Sequence, residues 1–179
     1  MKKPLVLLLA LLMAGMAACG GPESEATPTP VVTGYEIDVP DGFEQQELAG
    51  FDRCYMSADG SNINVNIQDK TGLDDNSFNT ITADMLRQSI QEGFQSTYEL
   101  DVEITDIAFT QEPVGGFAAY QYEFSYDLMG MRVHQLSVSV NADKLYTFTY
   151  TDTTGDWMEQ FLASAADIRF STEAAGEAA

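Results

Sequence analysis

Apolar and polar residues alternate along most of the chain, and a two-residue period of this kind is typical of strands in an antiparallel sheet. The alternation predicts seven strands, at residues 35–39, 51–56, 63–68, 102–111, 117–128, 131–141 and 144–151. Turn sequences join the later strands, including the two-residue turn Met129-Gly130. Connections this short favour successive antiparallel hairpins. The later strands are therefore predicted to form a meander.

A helical period replaces the alternation in two places. Over residues 77–98, apolar side chains recur near helical spacing with Gln, Arg and Glu between them; they are Phe78, Ile81, Met85, Ile90 and Phe94. A second helix is predicted from about residue 155, with Trp157, Phe161 and Leu162 on one stripe. Together these elements predict an α+β fold, in which an antiparallel meander sheet of about six to seven strands is packed by two main helices.

One face of the predicted sheet is apolar, and we interpret it as the core face. It collects Ile63, Val65, Ile67, Tyr122, Phe124, Tyr126, Leu136, Val138, Val140, Tyr146, Phe148 and Tyr150. The opposite face is polar and nearly uncharged, with Glu123, Thr151 and a candidate partner-binding set. That set is Asn62, Asn64, Asn66, Gln121, Gln135, Ser137, Ser139, Thr147 and Thr149.

Uncharged polar side chains cost less to desolvate than charged ones, so this polar face is a candidate surface for an envelope protein, a peptide or a glycan. The alternative is an ordinary solvated sheet face, or a face that a helix of the same fold covers.

The N-terminus has the pattern of a bacterial lipoprotein signal. Two lysines precede an apolar run at residues 5–13, which is too short to span a bilayer, and small residues then lead to Cys19. This stretch resembles a lipobox, with Met16 where Leu is more usual. The resemblance implies that residues 1–18 are removed and that acyl chains on Cys19 hold the protein on the extracytoplasmic face of the cell membrane. The alternatives are a cleaved secreted protein and an uncleaved signal anchor.

Composition separates a tether and a tail from one domain. Residues 19–33 are rich in Pro, Thr and Glu and are predicted to form an extended tether, while residues 172–179 are predicted to be a disordered tail. Residues 34–171 have the size of a single domain. The formal net charge is −20, from 8 Lys plus Arg against 28 Asp plus Glu, which argues against binding to nucleic acid.

Few residues carry reactive chemistry. Cys54 is the only cysteine left after lipidation of Cys19, and a lone strand cysteine is usually a small buried hydrophobe. His134 is the only histidine, so any Ser-His-Asp arrangement would have to include it; we interpret it as a structural histidine. The sequence has no glycine-rich phosphate loop, which argues against nucleotide binding.

Calcium prefers several oxygen ligands, and Asp69, Asp74 and Asp75 crowd one predicted loop. The loop lacks the spacing of a helix-loop-helix calcium site, and its alternative role is to cap the following helix. We therefore predict no metal site and no cofactor, with these aspartates as the remaining calcium candidates.

Four segments resemble a known family: residues 35–43, residues 61–67, the run from Gly116 to Tyr120, and an ending in which Tyr150-Thr151 precede Trp157 and Phe161. Their order is similar to that of the PsbP-like group, which includes the extrinsic photosystem PsbP proteins, Mog-type Ran-binding proteins and bacterial lipoproteins of the DcrB and LpqN type. The resemblance implies an antiparallel sheet packed by helices and a function in binding or scaffolding, with no catalytic residues to transfer.

The sequence thus predicts a non-catalytic binding or assembly module of the cell envelope. An alternative is an envelope hydrolase or transferase that uses paired carboxylates, which would require burial or neighbours to separate two pKa values.

Overall fold

The structure, a computed structural model, describes residues 30–70, 78–104 and 107–173. Nine strands and two helices lie entirely within these ranges. The strands are β1 Val31–Glu36, β2 Glu44–Gln46, β3 Arg53–Met56, β4 Asn62–Gln68, β5 Ile107–Thr110, β6 Ala118–Leu128, β7 Met131–Asn141, β8 Leu145–Asp152 and β9 Arg169–Glu173. The helices are α1 Ala83–Tyr98, between β4 and β5, and α2 Met158–Ala166, between β8 and β9.

Seven strands form one antiparallel sheet in the order β2-β3-β4-β8-β7-β6-β5. The strands from β5 to β8 are successive neighbours, which confirms the predicted meander, and β4 joins it by pairing with β8. The helices lie on opposite faces of this sheet, here called the α1 face and the α2 face, with one apolar cluster on each. The α+β prediction is confirmed.

The register of β6 against β7 is set by their two-residue turn. Met129 and Gly130 have φ values of 51° and 81°, and positive φ at both central residues is what a type I′ hairpin turn requires. Leu128 therefore pairs with Met131, and further along the strands Tyr122 pairs with Ser137. Because directly opposite residues in an antiparallel pair share a face, the tyrosine and the serine lie on the same side.

This register shows that the predicted core face was wrong for β6. Tyr122, Phe124 and Tyr126 lie on the α1 face, whereas Leu136, Val138 and the other apolar residues of that prediction lie on the α2 face. The aromatic residues of β6 stack along the strand at centroid distances of 5.7–6.0 Å. Gln121 and Glu123 consequently lie on the α2 face, opposite to the prediction.

Helix α1 begins later than predicted. Its N-cap is Thr82, whose side chain accepts a hydrogen bond from the backbone N–H of Met85 at 3.3 Å. The helix buries Leu86, Ile90 and Phe94, one turn apart, against the aromatic residues of β6. The predicted stripe was right at Ile90 and Phe94 but wrong at Met85, which is 47% exposed. Leu86 is buried in its place, because it lies one helical turn before Ile90, whereas a spacing of five residues turns Met85 away from that face.

The domain extends beyond the limits expected from composition. β1 and β9 pair in a separate two-stranded sheet, with Val31 opposite Glu173, so the ends of the predicted tether and tail are strands. This pairing joins the two ends of the described chain, and no local sequence pattern predicts it.

The β3–β4 hairpin is tied to the start of α2. Trp157 Nε1 donates to the Asp59 carboxylate at 2.8 Å, and the backbone N–H of Thr153 donates to Ser61 Oγ at 3.1 Å. Burial raises the pKa of Asp59, but hydrogen bonds from Ser57, Trp157 and Ser61 outweigh it and lower the pKa to about 2.

Candidate binding surface

The α2 face is open over β5 and over the part of β6 that follows Tyr120. Helix α2 packs on β7 and β8, and Tyr35 of β1 and Phe170 of β9 pack against the aromatic residues of β8. Next to this covered part is a row of exposed or half-buried side chains, here called the ledge. It consists of Ala108, Thr110, Gln121, Glu123, Ser125 and His134.

Strand pairing sets the geometry of the ledge. Ala108 lies opposite Glu123 and Thr110 lies opposite Gln121, so small exposed side chains on β5 flank longer polar ones on β6. Glu123 forms no ion pair with any residue in the described part of the chain. Its carboxylate is therefore available to a group that approaches from the β5 side.

A Ser-His-Asp row crosses the end of this face. Ser125, His134 and Asp152 are directly opposite one another on three neighbouring strands, and Ser125 Oγ lies 2.9 Å from His134 Nδ1. Such a row resembles the elements of a serine hydrolase, in which the carboxylate orients the histidine.

Asp152, however, is directed into the turn that leads to α2. It is fully buried, and its oxygens accept hydrogen bonds from the backbone N–H groups of Thr154, Gly155 and Trp157 at 2.8–2.9 Å. Burial raises the pKa of Asp152, but these bonds outweigh it and the net shift is downward. The carboxylate thus stabilises the turn, and the row does not form an acyl-transfer relay.

Most of the predicted polar set lies in the interior on the α1 face. Asn64 is 6% exposed, Ser137 is fully buried and Thr149 is 4% exposed. The buried members of the set are Asn62, Asn64, Gln135, Ser137, Ser139, Thr147 and Thr149, whereas Asn66 is half-buried. Gln121 belongs to the ledge on the other face. In this structure the buried members form a polar strip in the interior. Alternation along a strand shows which residues share a face, but it does not show whether that face is covered.

Hydrogen bonds satisfy part of the polar strip. Asn64 Nδ2 donates to Asn62 Oδ1 at 2.6 Å, and Ser137 Oγ and Thr149 Oγ1 are 3.2 Å apart. Tyr122 lies opposite Ser137, and burial raises the pKa of its hydroxyl, an effect that the serine hydroxyl partly offsets. The strip and the tyrosines therefore form one buried polar layer.

Among the residues that the structure describes, the remaining sequence candidates form no reactive centre. Cys54 is 2% exposed, and burial raises the pKa of its thiol, which disfavours the nucleophilic thiolate. Asp69 pairs with Lys144 at 3.5 Å, while Asp74 and Asp75 lie outside the described residues. Within the described ranges, no three His, Cys, Asp or Glu side chains are grouped so as to hold a metal ion.

Cys19, the predicted lipidation site, also lies outside the described residues. Neither helix described above has the length and apolarity needed to cross a bilayer.

Glu123 was predicted on the polar face but outside the candidate partner-binding set, and Ser125 was assigned to neither face. The signal that identifies them is the turn at Met129-Gly130, since a two-residue turn fixes which residues of the two strands are opposite. Applied to β6 and β7, this rule places Glu123 beside Leu136 rather than beside Ser137.

Comparison with known proteins gives a family. The solution structure of cyanobacterial PsbP (CyanoP) from Synechocystis sp. PCC 6803 is similar at 17% identity and a TM-score of 0.60, covering 87% of this chain and 99% of that chain. LpqN, involved in cell envelope biogenesis of Mycobacterium tuberculosis, matches at 14% identity and a TM-score of 0.42, covering 80% of this chain and 90% of that chain. No curated protein sequence matches the chain. Residues 31–165 match the PsbP family model, and the chain therefore belongs to the PsbP family.

Proposed function

We propose that this protein is a lipid-anchored, extracytoplasmic module of the cell envelope that binds a partner protein and catalyses no reaction. The observation that carries the proposal is the ledge, an uncovered row of side chains beside the part of the α2 face that α2, β1 and β9 cover. A solvated sheet face beside a rigid core is a suitable place to hold a partner, because little of the fold must rearrange on binding.

The sequence that leads to Cys19 resembles a lipobox, and this resemblance supports the anchoring part of the proposal. Strand β1 begins at Val31, so about a dozen residues would separate the acyl chains from the folded domain. A fully extended chain of that length spans about 40 Å. The domain would therefore have room to meet a partner beside the membrane without resting on the bilayer, from which its negative charge repels it.

The chemistry of the candidate reactive groups supports a binding role. Asp152 is occupied by backbone N–H groups, and Cys54 is buried with a raised pKa. His134 has a hydrogen bond to Ser125. Each group has a structural role that explains its placement.

Site-specific photocrosslinking in living cells tests the proposal. A photoreactive amino acid replaces Thr110 on the ledge or Gln45 on β2, at the opposite edge of the same sheet and on the same face. Both positions are exposed, so the second is a matched control. We expect the Thr110 position to give one dominant adduct with an envelope protein and the Gln45 position to give none.

The same cells report on anchoring. Mass spectrometry of the N-terminal peptide is expected to find diacylglycerol and a further acyl chain on Cys19. Identical adducts from Thr110 and Gln45 would refute the ledge as the binding surface, and an unmodified Cys19 would refute the lipid anchor.

A further inference from the structure

We propose that the outer edge of β5 binds an extended, basic segment of a partner protein as an additional strand of the sheet. The proposal rests on the proposed function, since it names the kind of partner that the ledge would hold. It is carried by the contrast between the two sheet edges, by the small side chains of β5 and by the unpaired carboxylate of Glu123.

The two edge strands of the larger sheet differ in how they are protected. Natural proteins shield sheet edges by making the strand short, charged, bulged or interrupted by proline. β2 is only three residues long, Glu44–Gln46, is exposed throughout and includes a charge. β5, Ile107–Thr110, is also short, with four residues, but it has no charge, no proline and an unbroken register against β6.

No other described strand pairs with the outer side of β5. An edge strand with these features is a template for a further strand, because its outward N–H and C=O groups are positioned to pair.

The side chains next to the edge specify an alternating ligand. On the α1 face, Ile107 and Phe109 are half-buried and pack at the margin of the apolar cluster, so they favour apolar side chains on an added strand. On the α2 face, Ala108 and Thr110 are small and exposed. Successive residues of a strand point to opposite faces, so the ligand would alternate apolar residues with residues that reach over the ledge.

Charge selects the residues that reach over the ledge. Neighbouring strands are about 4.8 Å apart, so an added strand would lie roughly 10 Å from β6, where Glu123 is located. A lysine or arginine opposite Ala108 has a long stem that can cross the small side chain and place its charge near Glu123. The overall charge of −20 also attracts a basic segment.

Peptide binding to the full chain, purified from membranes in a nonionic detergent, tests the inference. The probe is a fluorescein-labelled peptide, Gly-Val-Lys-Val-Lys-Val-Gly, and its binding is followed by fluorescence anisotropy. A second peptide has the same sequence and charge but has N-methyl groups on alternate amides, which removes the hydrogen bonds of one edge. We expect this peptide to bind at least about ten-fold more weakly.

Two lysine substitutions separate edge pairing from attraction to an acidic protein. Ala108→Lys places a charge on the β5 edge, whereas Gln45→Lys adds the same charge to the β2 edge. We expect Ala108→Lys to weaken binding at least about ten-fold and Gln45→Lys to leave it within about two-fold. Glu123→Gln is expected to weaken binding by about two- to five-fold, as for one cross-strand charge pair.

Equal binding of the two peptides, equal effects of the two lysine substitutions, or no binding of the probe would each overturn the inference. Thermal unfolding of each variant shows whether the fold is retained. If crosslinking at Thr110 captures a partner while the alternating peptide fails to bind, the proposed function stands and strand addition is wrong. If both fail, the ledge is not a binding surface.

Discussion

Replacing Asp152 with asparagine is the sharpest test of how the end of the sheet is held together. The aspartate is fully buried and accepts three backbone N–H bonds from the turn that leads to α2, through Thr154 and Gly155 to one oxygen and through Trp157 to the other. In Asp152→Asn, one oxygen becomes an NH₂ group. That group cannot accept, so either the Trp157 N–H or the N–H groups of the preceding turn lose their partner.

The expected cost follows from the loss of a charged acceptor. Hydrogen bonds to charged groups contribute about 1.5–3 kcal/mol each, and an unpaired buried donor costs about 1–3 kcal/mol. Because the asparagine keeps one acceptor oxygen, we expect the free energy of unfolding to fall by about 2–3 kcal/mol. For a domain of this size, that corresponds to a fall in Tm of roughly 5–10 °C.

The effect also depends on pH. Because the pKa of Asp152 is lowered in the folded state, its contribution is present above its ordinary pKa of about 4 and is lost as the pH falls through the folded value. The difference in Tm between the native protein and Asp152→Asn should therefore shrink as the pH falls below about 4. Asp59, whose pKa is also lowered, is present in both proteins, so its effect cancels in the difference.

Differential scanning calorimetry at pH 7 and at pH 3 measures both quantities. The matched control is Asp156→Asn, in the same turn but exposed, which should change the free energy of unfolding by less than about 0.5 kcal/mol. A loss of less than 1 kcal/mol for Asp152→Asn, or a loss equal to that of the control, would refute the structural role assigned to this carboxylate.

Three further changes test other parts of the fold by chemical denaturation. Gly115→Ala would place a methyl group 2.8 Å from Phe170 at a φ of +59°, so we expect the free energy of unfolding to fall by about 2–4 kcal/mol. The control Gly116→Ala has open space around the added methyl group and should lose about 1 kcal/mol. Equal losses would contradict the contact. Glu99 adopts a left-handed φ of 56° at the end of α1, a conformation that glycine adopts without strain. Glu99→Gly should therefore stabilise the protein by about 0.5–1 kcal/mol, and a loss of stability would contradict this reasoning. Burial raises the pKa of Tyr150 to about 12, so its contribution to stability should be present below pH 10 and decline between pH 10 and 12. The decline should be less steep in Tyr150→Phe. Identical pH profiles of the two proteins would contradict a role for Tyr150 ionisation.

The strands and helices of this fold could be predicted because each has a local period. The assignment of faces depended on one further step. The sequence predicts a tight turn at Met129-Gly130, and a tight turn requires Tyr122 to share a face with Ser137. Grouping β6 by hydrophobicity alone instead placed its aromatic residues with Leu136. The error arose because both faces of this sheet are packed, so apolar residues occur on both.

The candidate surface was harder to predict, also because both faces of the sheet are packed. Asn64 and Thr149 have the sequence pattern of a solvated strand face, yet both are buried in the structure. Alternation reports which residues share a face, but coverage of that face depends on tertiary packing. The pairing of Val31 with Glu173 joins residues at opposite ends of the domain, and neither segment has an alternating pattern long enough to indicate it.

The bond between Trp157 and Asp59 gives the protein a built-in optical probe. Trp157 is the only tryptophan in the chain, and its ring packs edge-on against Phe43 at 4.9 Å while its N–H binds the Asp59 carboxylate. Its emission therefore reports on one junction, where the β3–β4 hairpin meets the start of α2. Circular dichroism averages over the whole sheet, so coincident transitions by the two methods would indicate that the junction and the sheet unfold as one cooperative unit.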